Sequence, residues 1–450
     1  MAFNLPGIFR REFFRNVATL VSGTTFVQIV AILIYPVLSR IYTPDDFGLF
    51  GLYMSIISIT AIVATAKYEM AIMLPRREED AVNLLGVSIS ISAMITLFLM
   101  VVIILFNRPI CMVLGNEALS QWLYFVPLST LMVGLFQSFK LYANRNKRYR
   151  LITGANMGQS LTNSAAKVSV GPLVKGAAGL IAGTILGQLV GALIFIIPEL
   201  RKNRENMALI TRSKMAGLSK QYNLFPKFNM FQGVVNNFSA ALPIFIFNSF
   251  FTSAIAGFFT LGYSIIYRPM NLVTTAFYQV LSQRIIERYN KGQRIYPEIK
   301  MFLYRLLQLV TIPFILVAVF APAIFRVVFG QEWEEAGNYT QIIIPWLFMI
   351  SLTMPLSFIP DMFRRQKKAM ILDVIRFILR VISLIVGILK NDVYLGLMLF
   401  STTSTIMIMY SLLWYISMVR KIDKKEIRHG AGSVGHGVSE GGVDDRLGEL

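Results

Sequence analysis

Charged side chains stand inside long apolar stretches of this chain, where they are the residues best placed to bind a ligand. The most informative of them are six cations and two acids, namely Lys67, Lys140, Lys167, Arg268, Arg376, Arg380, Glu69 and Asp373. A basic side chain at the centre of a bilayer costs about 2.5–3.5 kcal/mol. We therefore expect these side chains to face protein or water rather than lipid. Several cations around one hydrated cavity would attract an anionic substrate.

Two interpretations of these residues stay open. In the first, a hydrated cavity is lined by substrate-binding cations, which are Lys67, Lys167, Arg268, Arg376 and Arg380. Amides would line the same cavity, namely Gln28, Asn163, Gln232, Asn236 and Asn237, and Glu69 and Asp373 are candidates for ion coupling. In the second, Lys67 pairs with Glu69 and Arg376 pairs with Asp373 for structural reasons, while the amides join neighbouring helices. Lys140, near the end of its stretch, is better explained as a side chain that extends to the membrane interface.

Twelve apolar stretches must position these residues. They cover 17–38, 47–74, 81–106, 119–142, 151–173, 176–198, 228–251, 254–285, 302–325, 339–359, 369–389 and 393–419. Each reaches about 20 residues or more, which is enough for a helix to cross the hydrocarbon of a bilayer. The chain is 55% hydrophobic and only 15% charged. The sequence predicts an all-α, polytopic membrane protein with about twelve transmembrane helices.

The positive charges indicate the orientation of the chain. Most of the 43 Lys and Arg residues lie in every second connection and near both ends. Because cytoplasmic loops are enriched in Lys and Arg, we expect a multi-pass protein with both termini in the cytoplasm. The Lys and Arg residues that give the chain its net charge of +19 would then bind membrane lipids with anionic head groups. Nucleic acid is not an expected partner.

An internal repeat divides the chain into two halves. A shift of 209 positions places 39–50 over 248–259, and matches Thr43, Gly48 and Phe50 to Thr252, Gly257 and Phe259. The match equates the first stretch with the seventh. It predicts two six-helix lobes related as parallel repeats around a central cavity. The predicted domains are an N-terminal lobe (1–199), a cytoplasmic linker (200–227), a C-terminal lobe (228–421) and a disordered cytoplasmic tail (422–450).

The linker at 200–227 has two open interpretations. It is rich in Lys, Arg and Asn but also carries apolar residues at Met207, Leu209, Ile210, Met215 and Leu218. It is either an amphipathic helix that rests on the inner leaflet or a solvated connection.

No pattern in the sequence is typical of an enzyme, and we expect no cofactor and no metal. There is no glycine-rich phosphate loop that ends in Lys-Ser or Lys-Thr. The two histidines, His429 and His436, stand in the tail, and the single cysteine, Cys111, has no partner for a disulfide. The acidic pair Asp45-Asp46 is better explained as part of a helix start, with Thr43 as the N-cap and Pro44 in the first position.

Two segments resemble a known family. They are LSRIYTPDDFGLFGLYMSI (Leu38–Ile56) and KYEMAIMLPRREEDAVNLL (Lys67–Leu85). Both are similar to sequences of the polysaccharide synthesis and export family. That family contains oligosaccharide-lipid flippases of the superfamily that also includes multidrug/toxin exporters and peptidoglycan-precursor flippases.

The resemblance implies a function and a location. The substrate would be an oligosaccharide on undecaprenyl pyrophosphate, such as an O-antigen unit of lipopolysaccharide or another surface-polysaccharide repeat. It would move from the inner to the outer leaflet of the bacterial inner membrane by alternating access, without ATP hydrolysis by this chain. Expected partners are the polysaccharide polymerase and the glycosyltransferases of the same pathway. By analogy, Lys67, Lys167, Arg268 and Arg380 would be cavity residues.

Two other functions are alternatives. A cation-coupled multidrug exporter with the same fold would need unpaired carboxylates inside the membrane, whereas the deep charges here are mainly positive. A membrane-embedded glycosyltransferase or polymerase would need catalytic residues for lipid-linked sugars.

Overall fold

The computed structural model describes residues 29–30, 32–202 and 207–432, and all regular elements in this part of the chain are helical. The predicted all-α fold is confirmed. The helices up to residue 221 are α1 Tyr35–Ile41, α2 Pro44–Val63, α3 Tyr68–Ala71, α4 Glu78–Val113, α5 Ser120–Leu123, α6 Val126–Arg145, α7 Tyr149–Val170, α8 Ala178–Lys202 and α9 Arg212–Gln221. The later helices are α10 Phe231–Phe250, α11 Ser253–Asn290, α12 Tyr296–Phe329, α13 Glu334–Thr353, α14 Ile359–Met362, α15 Gln366–Leu389 and α16 Val393–Gly432.

The chain is a multi-pass membrane protein. Among the described residues, seven helical segments are long and apolar enough to cross a bilayer, and an eighth is formed if the bent pair α5–α6 is one span. Three further long helices, α7, α11 and α15, occupy predicted stretches but are more polar. In α15 the reason is plain, because Asp373, Arg376 and Arg380 all lie within its 24 residues.

The start of α2 is fixed by its own side chains. The Asp46 carboxylate accepts a hydrogen bond from the Thr43 backbone N–H at 3.0 Å, and the Asp46 N–H donates to Thr43 Oγ1 at 3.3 Å. Pro44 occupies the first helical position. This reciprocal capping box confirms the predicted helix start. It also gives Asp46 a structural role.

The repeat is visible where α2 and α11 begin. Each helix follows a threonine, and the Ile255 N–H donates to Thr252 Oγ1 at 3.3 Å, as the Asp46 N–H does to Thr43. The two helices then cross at equivalent glycines. A Cβ on Gly48 would lie 2.7 Å from the Ser253 carbonyl carbon, and a Cβ on Gly257 would lie 2.7 Å from the Pro44 carbonyl carbon. Since 44 and 48 correspond to 253 and 257, each helix makes the same contact with the other.

The described chain packs as two compact units. The first contains the described residues up to Ile265 together with Pro322–Tyr339, and the second contains Ile266–Ala321 and the residues from Thr340 onward. Residues 253–265, the first third of α11, therefore belong to the first unit. The lobe boundaries at 199/200 and 227/228 stay a prediction.

Part of the linker forms a helix, and this helix packs on protein. Residues 212–221 form α9, which packs against the start of α4. Asn83 joins the two elements, because its Nδ2 donates to the Leu209 carbonyl at 3.0 Å and its Oδ1 accepts from the Thr211 N–H at 2.9 Å. Lys214 also forms an ion pair with Glu79. Met207, Ile210, Met215 and Leu218 thus pack on protein, whereas Leu209 is exposed.

The polar helix α7 packs against a row of glycines on α8. A Cβ on Gly187 would lie 2.7 Å from the Gln159 carbonyl oxygen and 2.8 Å from Asn163 Cβ. A Cβ on Gly183 would likewise lie 2.9 Å from the backbone nitrogen of Lys167. Small residues allow two membrane helices to approach closely and let polar side chains bond between them. This packing explains how a helix with few large apolar residues sits in the fold.

Candidate functional site

The second predicted stretch is interrupted by a break that carries Lys67. α2 ends at Val63 and α3 begins at Tyr68. Between them, Ala66 and Lys67 have backbone φ values of 47° and 64°. Residues with a side chain seldom adopt this left-handed region, and each instance costs on the order of 1–3 kcal/mol. Such strain persists only where the surroundings hold it, and it concentrates at functional sites.

Contacts on both sides of the break hold it in place. The Tyr68 hydroxyl donates to the Ser219 carbonyl oxygen of α9 at 2.8 Å. Ala71 and Ile72 are fully buried in the core that α4, α6 and α9 share. The docked linker helix and the core therefore fix the segment that presents Lys67.

Lys67 stands beside a buried acid. Its Nζ lies 3.7 Å from Glu69 Oε1, while the Thr65 hydroxyl donates to the other carboxylate oxygen. The Glu69 side chain is 5% exposed, but the Lys67 side chain keeps 22% of its surface open. An ammonium group has three N–H donors, so one carboxylate at this distance does not use them all. Lys67 can therefore offer donors to an anion while Glu69 keeps its hydroxyl partner.

Three of the predicted amides lie on the helix next to Lys67. A Cβ on Gly233 of α10 would lie 3.8 Å from Lys67 Cε, so the lysine stem runs along this helix. Gln232 and Asn236 are exposed on α10. Asn237 donates to the Gly233 carbonyl at 3.0 Å within its own helix. The structure thus places the Lys67 stem against the helix that carries three of the predicted amides.

Lys167 is placed in the interior of the first unit. The residue is 8% exposed, and its Nζ lies 4.4 Å from the centroid of the Phe50 ring. Its backbone carbonyl accepts a hydrogen bond from the Tyr42 hydroxyl at 2.7 Å. A cation over an aromatic face is attracted by the ring quadrupole, most strongly when it is desolvated. These contacts join α7 to α2 and to Tyr42 at the end of α1. The predicted role of Lys167 in binding substrate stays a prediction.

Arg380 is similarly placed in the interior of the second unit. Its guanidinium carbon lies 5.0 Å from the Trp346 ring and 4.9 Å from the Phe400 ring. Its Nε donates to Ser404 Oγ at 2.8 Å, and the residue is 5% exposed. The planar guanidinium suits such a sandwich because it stacks on aromatic faces. The role of Arg380 as a cavity cation stays a prediction.

The other candidates of the second unit are half-buried. Arg376 forms an ion pair with Asp373, three residues earlier on α15. Arg268 lies inside α11, directly before Pro269. Both arginines stay predicted substrate-binding residues, and Asp373 stays a candidate for ion coupling. Gln28 lies outside the described residues.

Several features of the site carry no signal in the sequence. The break at 64–67 contains no glycine or proline, and its threonine is an ordinary residue for an apolar helix. The aromatic partners of Lys167 and Arg380 come from distant stretches. Periodicity alone could not have found them. Within the described ranges, no group of three or more His, Cys, Asp or Glu side chains is arranged to hold a metal ion.

Comparisons with known proteins agree with this fold. A family model described as polysaccharide biosynthesis protein matches residues 37–338, which is most of the chain. No curated protein matches the chain.

Solved transporters share the architecture. The lipid II flippase MurJ, in an inward closed conformation, is 12% identical with a TM-score of 0.69, covering 93% of this chain and 93% of MurJ. An inward-facing multidrug resistance MATE family transporter of the MOP superfamily is 16% identical with a TM-score of 0.60, covering 88% of this chain and 95% of that one. A MOP superfamily transporter from Pyrococcus furiosus, described as having a binding pocket of reversed polarity, is 15% identical with a TM-score of 0.60, covering 90% and 95%. At these identities the likeness shows the fold alone.

Proposed function

Because the chain belongs to the family of polysaccharide biosynthesis proteins, we propose that it is a flippase for an undecaprenyl-pyrophosphate-linked oligosaccharide. It moves an O-antigen unit or another surface-polysaccharide repeat from the inner to the outer leaflet by alternating access. The observation that carries this proposal is the partly open Lys67, held in a strained helix break beside the amides of α10. The fold shared with MOP-superfamily transporters supports a transport role.

The chemistry of the Lys67 site suits such a substrate. Pyrophosphate is an anion whose oxygens accept charge-assisted hydrogen bonds from an ammonium group. Amides offer both donors and acceptors, which match the hydroxyl and acetamido groups of sugars. Gln232 and Asn236 are exposed on α10, the helix that the lysine stem contacts at Gly233. One site can therefore contact both the head group and the first sugar, while the polyprenyl tail stays in lipid.

The paired state of the acids favours this function over a multidrug exporter. A transporter for cationic drugs needs carboxylates that are available inside the membrane. Glu69 interacts with Lys67 and Thr65, and Asp373 interacts with Arg376. Both acids stay candidates for coupling to a proton or Na⁺, since either pair could open during transport.

The location and partners follow from the same proposal. The protein lies in the bacterial inner membrane with both termini in the cytoplasm, as the distribution of Lys and Arg supports. It acts between the glycosyltransferases that build the unit and the polymerase that consumes it.

A cysteine placed at the exposed Lys390 should react with an impermeant maleimide in intact cells, because the proposed orientation puts the connection between the last two predicted stretches outside the cytoplasm. The native Cys111 is only 4% exposed and should not react. Labelling of the introduced cysteine only after permeabilisation would contradict the orientation.

Deleting the gene tests the proposed function. Finished lipid-linked oligosaccharide should accumulate in the inner leaflet, because synthesis continues while export stops. Mass spectrometry of extracted polyprenyl lipids measures glycan length, and an impermeant sugar-oxidising reagent on intact spheroplasts reports the leaflet. Truncated glycans in place of finished ones would show that the protein is an enzyme of glycan synthesis.

A further inference from the structure

A pocket of about 440 Å³ lies at the end of the first unit that is opposite the cation-rich loops. It is enclosed by four connections that are distant in sequence: the turn into α2, the segment between α4 and α6, the connection from α7 to α8, and the start of α11. Its volume falls within the range of small-molecule binding sites. The polar side chains that line it include Asp45, Asp46, Asn116, Glu117, Gln121 and Lys175.

The walls of the pocket are fixed by backbone geometry. Gly115 and Gly176 have φ values of 62° and 76°, in the left-handed region that glycine adopts without strain. A Cβ on Gly115 would lie 2.7 Å from Ser249 Cα, so this loop packs directly on the end of α10. Asn116 Nδ2 also donates to Ser253 Oγ at 2.8 Å. The pocket is therefore a preformed concavity.

The lining groups are those that recognise sugar hydroxyls. Asp46 uses one carboxylate oxygen in the capping box, and a Cβ on Gly176 would lie 3.6 Å from the other oxygen. The absence of a side chain at Gly176 leaves this second oxygen open to the pocket. Asn116 has an amide oxygen left as an acceptor, and the exposed Gln121 offers both a donor and acceptors. Carboxylates and amides at several angles match neighbouring hydroxyl groups.

An aromatic ring completes the lining. Trp122 is half-buried, and its ring centroid lies 5.9 Å from that of Phe125. The indole combines a flat apolar face with one N–H donor, so it can stack on the C–H face of a sugar ring while the polar groups bind the hydroxyls. A pocket with acids alone would suit a cation. This pocket adds amides, an amine and an aromatic face.

We propose that this pocket binds the glycan part of the transported molecule. The assignment rests on the proposed transport of a lipid-linked oligosaccharide, since it places a glycan site on the side to which the substrate is delivered. Asp45, Asp46 and Glu117 outnumber Lys175 among the charged lining residues. The pocket therefore selects neutral or amino sugars and disfavours uronic acids.

The test uses the purified full-length protein in nanodiscs and saturation-transfer NMR with three soluble probes. These probes are maltose, N,N′-diacetylchitobiose and digalacturonic acid at millimolar concentration. The variants are Trp122→Ala and Gln121→Ala, the second at an exposed side chain that folding does not need. Matched controls are Tyr124→Ala, an aromatic residue that is 54% exposed outside the pocket, and Glu332→Gln, an exposed residue of another loop.

Wild type and both controls should bind at least one of the two uncharged disaccharides more tightly than digalacturonic acid. Trp122→Ala and Gln121→Ala should weaken that binding by about tenfold or more. Asp45→Asn should reduce the difference in affinity between the uncharged probes and digalacturonic acid. Failure of all three probes to bind, equal binding by Trp122→Ala and wild type, or preference for digalacturonic acid would each overturn the proposal. Transport of lipid-linked oligosaccharide is measured separately, so a pocket that binds no sugar in an active flippase refutes only the pocket.

Discussion

Replacing Gly48 or Gly257 with alanine should sharply destabilise the protein, because neither position has room for one more carbon. A Cβ at either glycine would lie 2.7 Å from a backbone carbonyl carbon of the opposing helix, and closer still to its oxygen. Backbone atoms cannot rotate away as a flexible side chain can, so α2 and α11 would have to separate. We expect a loss of about 3 kcal/mol, the upper end for overpacking a core. The measurement is the melting temperature of the purified protein in detergent, followed by intrinsic fluorescence.

Two helical glycines serve as controls for this prediction. A Cβ on Gly154 in α7 or Gly217 in α9 would meet no atom within 4 Å. Alanine is favoured over glycine inside a helix by about 1 kcal/mol, so these variants should melt at the same or a higher temperature. Because the two crossing glycines occupy equivalent positions of the repeat, Gly48→Ala and Gly257→Ala should lose similar stability. If either crossing variant melts at the same temperature as Gly154→Ala, the helices do not cross this closely.

Replacing Lys67 with asparagine should reduce transport by about 10- to 100-fold, which corresponds to about 1.5–3 kcal/mol for a hydrogen bond to a charged group. Asparagine tolerates the left-handed backbone better than most residues, so it removes the charge without disturbing the break. Lys67→Arg keeps the charge and should retain most of the activity. The measurement is restoration of surface polysaccharide in a deletion strain, normalised to the amount of protein in the membrane.

A double variant separates substrate binding from simple pairing with Glu69. If Lys67 only neutralises the acid, Lys67→Asn combined with Glu69→Gln should recover activity, because neither charge is left unpaired. If Lys67 binds the pyrophosphate, the double variant should stay impaired and transport less than Glu69→Gln alone, which by itself shows any loss of ion coupling. Ala66→Gly is a control, because glycine relieves the strain at φ 47° without changing the charge. It should transport as well as wild type, and recovery in the double variant would contradict a binding role for Lys67.

Much of the fold could be predicted from the sequence because length and hydropathy decide which segments enter a bilayer. Eleven of the twelve apolar stretches coincide with described helices, and the first lies mostly outside the described residues. The helix start at Thr43 was also predictable, since its capping box is local in sequence. The linker could not be assigned, because its apolar residues would suit a lipid surface as well as the protein core on which they pack.

The candidate site was predictable only in part. Counting charges inside apolar stretches identifies Lys67, Lys167 and Arg380, but it cannot distinguish their surroundings. Lys167 and Arg380 are desolvated against aromatic rings supplied by other stretches, whereas Lys67 keeps an open face because the helix breaks beside it. Tertiary packing sets this difference, and no short-range pattern encodes it.

The central claim is tested most directly by movement of the substrate across a bilayer that contains only this protein. The purified chain is placed in liposomes with an undecaprenyl-pyrophosphate-linked oligosaccharide that carries a dithionite-sensitive fluorophore on its sugar. With wild-type protein, the fraction of fluorophore that dithionite bleaches should rise from the outer-leaflet fraction to nearly all of it. With Lys67→Asn, the same rise should be slower. A bleached fraction that stays at the level of protein-free liposomes, or a glycan whose length changes during the assay, would contradict the account.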